Sequence, residues 1–187
     1  MPHLLMICGP NGSGKSTFTN KTKLRDIMPV IDPDLIAKLD DLHPMTAGKE
    51  TSRRVKRFIA EGKSFAKEST MTSNFDFKLM VQAKEHGYDV ELFYVALESP
   101  QDSILRIKQR VSLGGHHVPD EDVIRRYGRS MNNLEKALST VDRAAIIDNS
   151  RRQDRTVATA EKGTLTLTEE ATPGWLKRAL TEIEEAR

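Results

Sequence analysis

The chain has 187 residues, 37% hydrophobic and 30% charged, with a formal net charge of +2. That is the size of one domain with its own core, and the composition is neither disordered nor membranous. The near-neutral balance and an aromatic content of 5% speak against nucleic acid or a membrane surface as partner, because both need a basic field and strand binding adds stacking rings.

The elements alternate short apolar runs with amphipathic stretches, the pattern of βα units around a parallel sheet. Leu4–Cys8 reads as a buried first strand, too short for a signal peptide or membrane span. No longer apolar run follows, and the chain reads as cytoplasmic. Cys8, the single cysteine, rules out an internal disulfide and reads as a small buried hydrophobe. A glycine-rich turn leads into a helix from about Lys15 to Lys23. Val30-Ile31 is a second short strand. Lys49–Glu61 carries Val55, Phe58 and Ile59 on one helical stripe. Ser64–Thr70 is the third strand, and Phe77–Glu85 a helix stopped by Gly87. Val90–Leu97 is the fourth strand.

Ser99-Pro100 starts a helix with a Ser cap and a Pro in its first turn, burying Ile104, Ile107 and Val111. Gly114-Gly115 ends it. Val118-Pro119-Asp120 starts the next helix, with Ile124, Tyr127, Met131 and Leu134 at helical spacing. Ala144–Ile147 is the last core strand, ending in Asp148-Asn149-Ser150. Thr156–Ala160 and Thr164–Thr168 form a small hairpin, and Trp175–Ala186 a terminal helix that covers the domain.

The run Gly9-Pro10-Asn11-Gly12-Ser13-Gly14-Lys15-Ser16-Thr17 fits G-x-x-x-x-G-K-[ST] at every required position, between a strand and a helix. Glycines let backbone N–H groups turn inward onto phosphate oxygens. Lys15 reaches the β- and γ-phosphates of ATP, and Ser16 offers its hydroxyl to Mg²⁺ with Thr17 beside it. The fold class that follows is a three-layer α/β/α phosphate-binding-loop fold. It has a mostly parallel sheet of about five strands, one domain over 1–187, a helical lid over about 99–138, and a C-terminal hairpin and helix over about 155–187.

No apolar run ends in the Asp-Glu pair of motor ATPases, and no Asn-Lys-x-Asp motif reads guanine. A small-molecule kinase needs a base, an acceptor pocket and arginines that close over the γ-phosphate, and the chain offers all three. Asp32-Pro33-Asp34 ends the second strand, where open parallel sheets bind ligands. Asp34 is the candidate base, and a helix cap is the competing, compatible role for this pair. Glu68 and Thr70, after the third strand, are candidates for holding the acceptor, against a plain polar strand end. Arg106 and Arg110 share a helix face, and Arg125-Arg126 follow beyond the glycine joint. Two arginine-bearing helices around a hinge read as a lid, with a solvated basic face as the alternative. His116-His117 lacks a third metal ligand, which leaves His117 a lid contact. Asn149 lies where the last strand's loop passes the nucleotide, or forms an Asx turn.

These segments, with Arg110-Val111, Gly114-Gly115-His116-His117-Val118-Pro119 and Ile124-Arg125-Arg126-Tyr127, resemble the zeta-toxin family over about Leu4 to Ser150. The specific part is Gly-Gly-His-x-Val-Pro followed by Arg-Arg-Tyr. The resemblance implies an ATP-Mg²⁺ kinase whose relatives phosphorylate UDP-N-acetylglucosamine and are held inactive by an antitoxin, which for this chain would be separate or absent. By position it implies Asp34 as base, Lys15 as phosphate clamp, Glu68 and Thr70 on the acceptor, and Arg110 with Arg125 or Arg126 on the γ-phosphate. A nucleoside or polynucleotide kinase and a non-catalytic ATP-binding regulatory module are the alternatives.

Overall fold

The computed structural model describes residues 1–168 and 172–185. Its centre is β1 (His3–Cys8), with Leu4, Met6 and Cys8 fully buried on one face and Ile7 on the other. A strand buried on both faces belongs in the middle of a sheet covered by helices. On one side of it run β3 (Phe65–Ser69) and then β2 (Val30–Ile31). On the other run β4 (Asp89–Ala96), β5 (Arg143–Asp148), β6 (Arg155–Glu161) and β7 (Thr164–Leu167), giving the order β2-β3-β1-β4-β5-β6-β7. The first five strands are mutually parallel.

The sheet has seven strands, where the sequence suggests about five. The hairpin 155–167 does not stand apart. It continues the sheet antiparallel to β5, with Ala144 opposite Ala160 and Asp148 opposite Arg155. Backbone pairing to an open edge leaves little trace in side-chain pattern.

One face carries α1 (Lys15–Lys21) and α2 (Leu24–Ile27), which bury Leu24 against Ile7 and Ala66, with Phe18 packed alongside. The other carries α4 (Pro44–Ala60), α5 (Asn74–Glu85), α8 (Leu134–Thr140) and α9 (Gly174–Glu185), whose Val55, Phe58, Met80, Leu134 and Trp175 join the main core. The short α3 (Pro33–Leu39) starts where the sequence places a cap: Asp32 accepts from the backbone N–H of Asp34 and Leu35. α6 (Pro100–Ser112) starts on Ser99, whose hydroxyl accepts from the N–H of Asp102.

Beyond the glycine joint, α7 (Asp120–Asn132) shows a register correction. Val123, Tyr127 and Ser130 are buried, whereas Ile124 is 49% exposed. Leu134 belongs to the separate α8, after a break at Asn133 whose side chain donates to the carbonyl of Met71 at 2.8 Å. Val123 packs with Ile107 and Val118 in a small cluster of its own, so α6 and α7 share a core distinct from the body. Trp175 donates its ring N–H to Asp148 at 3.1 Å and fastens α9 to the end of β5. Among the described residues, no helix is long and apolar enough to cross a membrane.

Candidate nucleotide-binding cleft

At the carboxyl end of β1 the chain turns through Gly9–Gly14 into α1. Gly9 has φ +139, and a Cβ there would lie 2.0 Å from the carbonyl oxygen of Val95. Gly14 has φ +101, and its Cβ would lie 2.4 Å from Nδ2 of Asn149. Only glycine fits either place. Asn149 Nδ2 donates to the carbonyl of Ser13 at 2.8 Å, and the carbonyl of Asn149 accepts from Arg106 at 2.6 Å. Asn149 and Arg106 thus brace the loop through its backbone.

Lys15 Nζ donates to the carbonyls of Gly9 and Pro10, each at 2.9 Å. Desolvation holds this ammonium below the ordinary lysine range, and the charge of Glu68 offsets part of that. Asn11 Oδ1 and Ser13 Oγ are buried without a partner among the described residues. A partly desolvated cation with only carbonyl ligands is a seat for an anion, whereas the Asn11 Oδ1 beside it is an acceptor and calls for a donor.

Glu68 comes from β3, the strand beside β1, and is buried. Its Oε2 accepts from Ser16 Oγ and its Oε1 from Thr19 Oγ1, both at 2.8 Å. Arg25 of α2 places its guanidinium 3.7 Å from Glu68 and 3.4 Å from Asp32. Burial, and then the nearby charge of Asp32, push the Glu68 carboxyl above its usual range, against the hydrogen bonds of Thr19 and Ser16. The sequence offers Glu68 for the acceptor and does not reveal its place behind Ser16 and Thr19. Its neighbour Lys67 is itself buried and paired with Asp76 at 2.7 Å.

These groups open onto one cleft of about 1020 Å³. Asn11, Gly12 and Gly14–Thr17 line one wall, and Asp32, Asp34, Glu68 and Thr70 another. Arg106, Arg110 and Arg126 reach it from α6 and α7. Gly9, Pro10, Ser13 and Asn149 do not line it; Gly9 and Pro10 supply carbonyls to Lys15, and Ser13 and Asn149 brace the loop. Arg125 and His117 are exposed and also lie off the cleft wall. Neighbours on a helix point about 100° apart. Arg125 accordingly leaves the cleft side and pairs with Asp122 at 2.5 Å. The joint itself is tied back by Arg110, which donates to the carbonyl of His116 at 2.8 Å.

Arg151 and Arg152 also line the cleft, and sequence reasoning passed over them. No motif marks them. The available signal was their place just past a strand's carboxyl end, where such sheets bind ligands. The cleft therefore sets six cationic side chains, Lys15 and five arginines, against three carboxylates. That is an anion site. Among the described residues no group of three or more His, Cys, Asp or Glu could hold a metal unaided.

The zeta toxin family model matches residues 1–163. The chain belongs to the zeta toxin family. An uncharacterised Haemophilus influenzae protein is 34% identical over 128 residues, covering 66% of this chain and 91% of its own length. Among solved structures, a chain from the PezAT chromosomal toxin–antitoxin system of Streptococcus pneumoniae superposes with a TM-score of 0.61 at 18% identity, over 99% of this chain and 87% of that one. The AvrRxo1-ORF1:ORF2 complex solved with ATP gives a TM-score of 0.67 at 16% identity. There the match covers all of this chain and 63% of the neighbour, so this zeta family member spans less than two thirds of it.

Proposed function

We propose that this protein is an ATP-dependent kinase that transfers the γ-phosphoryl group to a hydroxyl of a small molecule. The observation that carries the reading is the single cleft in which Lys15, Ser16 and Asp34 meet Arg106, Arg110 and Arg126. Asp34 takes the proton of the attacking hydroxyl as the new O–P bond forms and the bond to the β-phosphate oxygen breaks, releasing ADP. Lys15 holds the β- and γ-phosphates, and Arg110 and Arg126 stabilise the charge on the moving group. Asp32 positions Asp34 through the cap of α3, and Thr70 bonds the acceptor.

Ser16 Oγ with Glu68 behind it, 2.8 Å apart, is an all-oxygen set that suits Mg²⁺. Bound there, Mg²⁺ supplies charge neutralisation at the phosphates. ATP as donor is supported by the neighbour solved with it. For the acceptor we propose, on the sequence resemblance alone, a UDP-activated amino sugar such as UDP-N-acetylglucosamine or a related metabolite; the toxin–antitoxin neighbour supports a separate antitoxin as partner.

The test is incubation with γ-labelled ATP and a cytosolic metabolite extract, followed by mass detection of phosphate esters. A new labelled ester is expected. A folded sample that binds ATP and yields no ester from any fraction contradicts the reading.

A further inference from the structure

The terminal helix α9 (Gly174–Glu185) lies beyond the residues that the family model matches, and none of its described residues lines the cleft. It nevertheless holds the carboxyl ends of β4 and β5, the strands that follow β1 in the sheet. Ligands bind at that end of an open parallel sheet. At β4, Arg178 donates to the carbonyl and to Oε1 of Glu98, at 2.8 and 3.0 Å. Glu98 directly precedes Ser99, the cap from which α6 starts. At β5, Trp175 donates to Asp148 Oδ1 at 3.1 Å.

Asp148 is buried. Its Oδ1 also accepts from the backbone N–H and the hydroxyl of Ser150, at 3.2 and 2.6 Å, and its Oδ2 from Arg155 at 3.3 Å. Burial raises this carboxyl, but the bonds from Ser150, Trp175 and Arg155 outweigh it and hold the group below its usual range. A buried carboxylate that keeps its charge binds its donors strongly. Those bonds fix the turn that carries Asn149. The Asn149 N–H donates to the carbonyl of Ala96 at 2.9 Å, its side chain donates to the carbonyl of Ser13, and its own carbonyl accepts from Arg106 of α6. Trp175 is thus two hydrogen bonds and one peptide link from the phosphate loop. Past Ser150 the same turn leads into Arg151 and Arg152, which line the cleft.

We propose that Trp175 is a positioning residue for the nucleotide: its indole N–H fixes Asp148, so that Asn149 holds the phosphate loop and Arg151 and Arg152 face the cleft. The indole has two separable roles. Its apolar body fills the main core, with the Tyr94 ring centre 6.4 Å away, and phenylalanine would supply most of that packing. Its N–H needs a partner wherever it is buried. Here that partner is the carboxylate on which the Asn149 turn is built, which makes α9 part of the nucleotide site without touching the ligand. The proposal rests on the cleft binding a nucleotide and not on transfer to any acceptor.

The test is calorimetric titration of ATP with Mg²⁺ into the wild-type chain, Trp175→Phe, Leu176→Val, Asn149→Ala and the double variant Trp175→Phe with Asn149→Ala, each well below its thermal midpoint. Trp175→Phe keeps the ring packing and loses the N–H. It should raise the Kd for ATP about three- to tenfold, the worth of one hydrogen bond felt through the loop. Leu176, the next residue of α9, is fully buried in the same core and has no bond to Asp148. Leu176→Val should lower the thermal midpoint and leave the Kd within about twofold. The double variant should bind within about twofold of Asn149→Ala alone, because the two residues act in series. Wild-type affinity in Trp175→Phe overturns the proposal and leaves the nucleotide site standing. So does a Kd that rises as much in Leu176→Val, which would be a general loss of stability, or losses that multiply in the double variant. No ATP binding by the wild type removes the nucleotide reading itself and this proposal with it.

Discussion

The phosphate loop and the arginine rim line one cleft and are held in different ways. Around the loop every fixing group is in place: glycines pressed against Val95 and Asn149, Lys15 on two carbonyls, Ser16 and Thr19 on Glu68. The rim arginines occupy weaker or borrowed partners. Arg110 bonds the carbonyl of His116, and Arg126 stands 3.6 Å from Asp122. They ride on α6 and α7, whose small cluster of Ile107, Val118 and Val123 is separate from the main core. On the proposed kinase reading, the loop is preorganised for ground-state binding and the rim acts when the two helices close. Loop changes should act on nucleotide affinity, and rim changes on turnover.

The largest departure from that division belongs to Asp34, which sits on neither side. Asp34→Asn should lower kcat about 10²- to 10⁴-fold, the usual worth of a general base, with ATP affinity within about twofold. Steady-state kinetics with a calorimetric ATP titration would check it, and transfer at the wild-type rate would remove Asp34 as base. Next comes the rim itself. Arg126→Ala should cost about 10²- to 10³-fold in kcat with little change in the KM for ATP. Arg125→Ala, one residue earlier but off the cleft wall, should stay within about twofold. Equal losses in the two variants would mean the helix turns on closure and the free-state placement is not the working one.

Glu68→Gln sharpens the loop side, with an expected loss of turnover of about 10- to 100-fold for a group acting behind the Ser16 hydroxyl. It also carries a pH signature. Burial and Asp32 raise the carboxyl above its ordinary 4.5, so the fold binds that proton more tightly than the unfolded chain does. Its stabilising contribution is present below 4.5 and is lost as pH rises through the raised value. The thermal midpoint of free Glu68→Gln should therefore gain on wild type as pH rises towards neutrality and nearly match it at pH 4. A difference independent of pH would show that the Glu68 proton is not linked to folding.

The same contrast explains what the sequence could and could not tell. Gly9–Thr17 was legible because its function is written in consecutive residues whose backbone makes the site. Asp32 was legible as a cap, because capping is local. Glu68 was read as a candidate for holding the acceptor, and its place behind Ser16 was not legible, since that bond joins positions 52 apart in sequence. Arg125 and Arg126 look alike in sequence, and only the placement of α7 against the body separates them. Only the first position of the buried stripe there was misplaced: Tyr127, Met131 and Leu134 face the core, but Val123 and Ile124 are both apolar, and tertiary packing chose Val123. The Lys67–Asp76 pair was out of reach, because a buried lysine in a strand reads as exposure.

Calorimetric titration of ATP into the wild-type chain and into Lys15→Ala, with and without Mg²⁺, tests the phosphate loop most directly. Saturable binding by the wild type, tighter with Mg²⁺ and weakened about 10²-fold or more in Lys15→Ala, is the expected result. A folded wild-type sample with no saturable binding, or one whose affinity survives Lys15→Ala unchanged, would contradict the account.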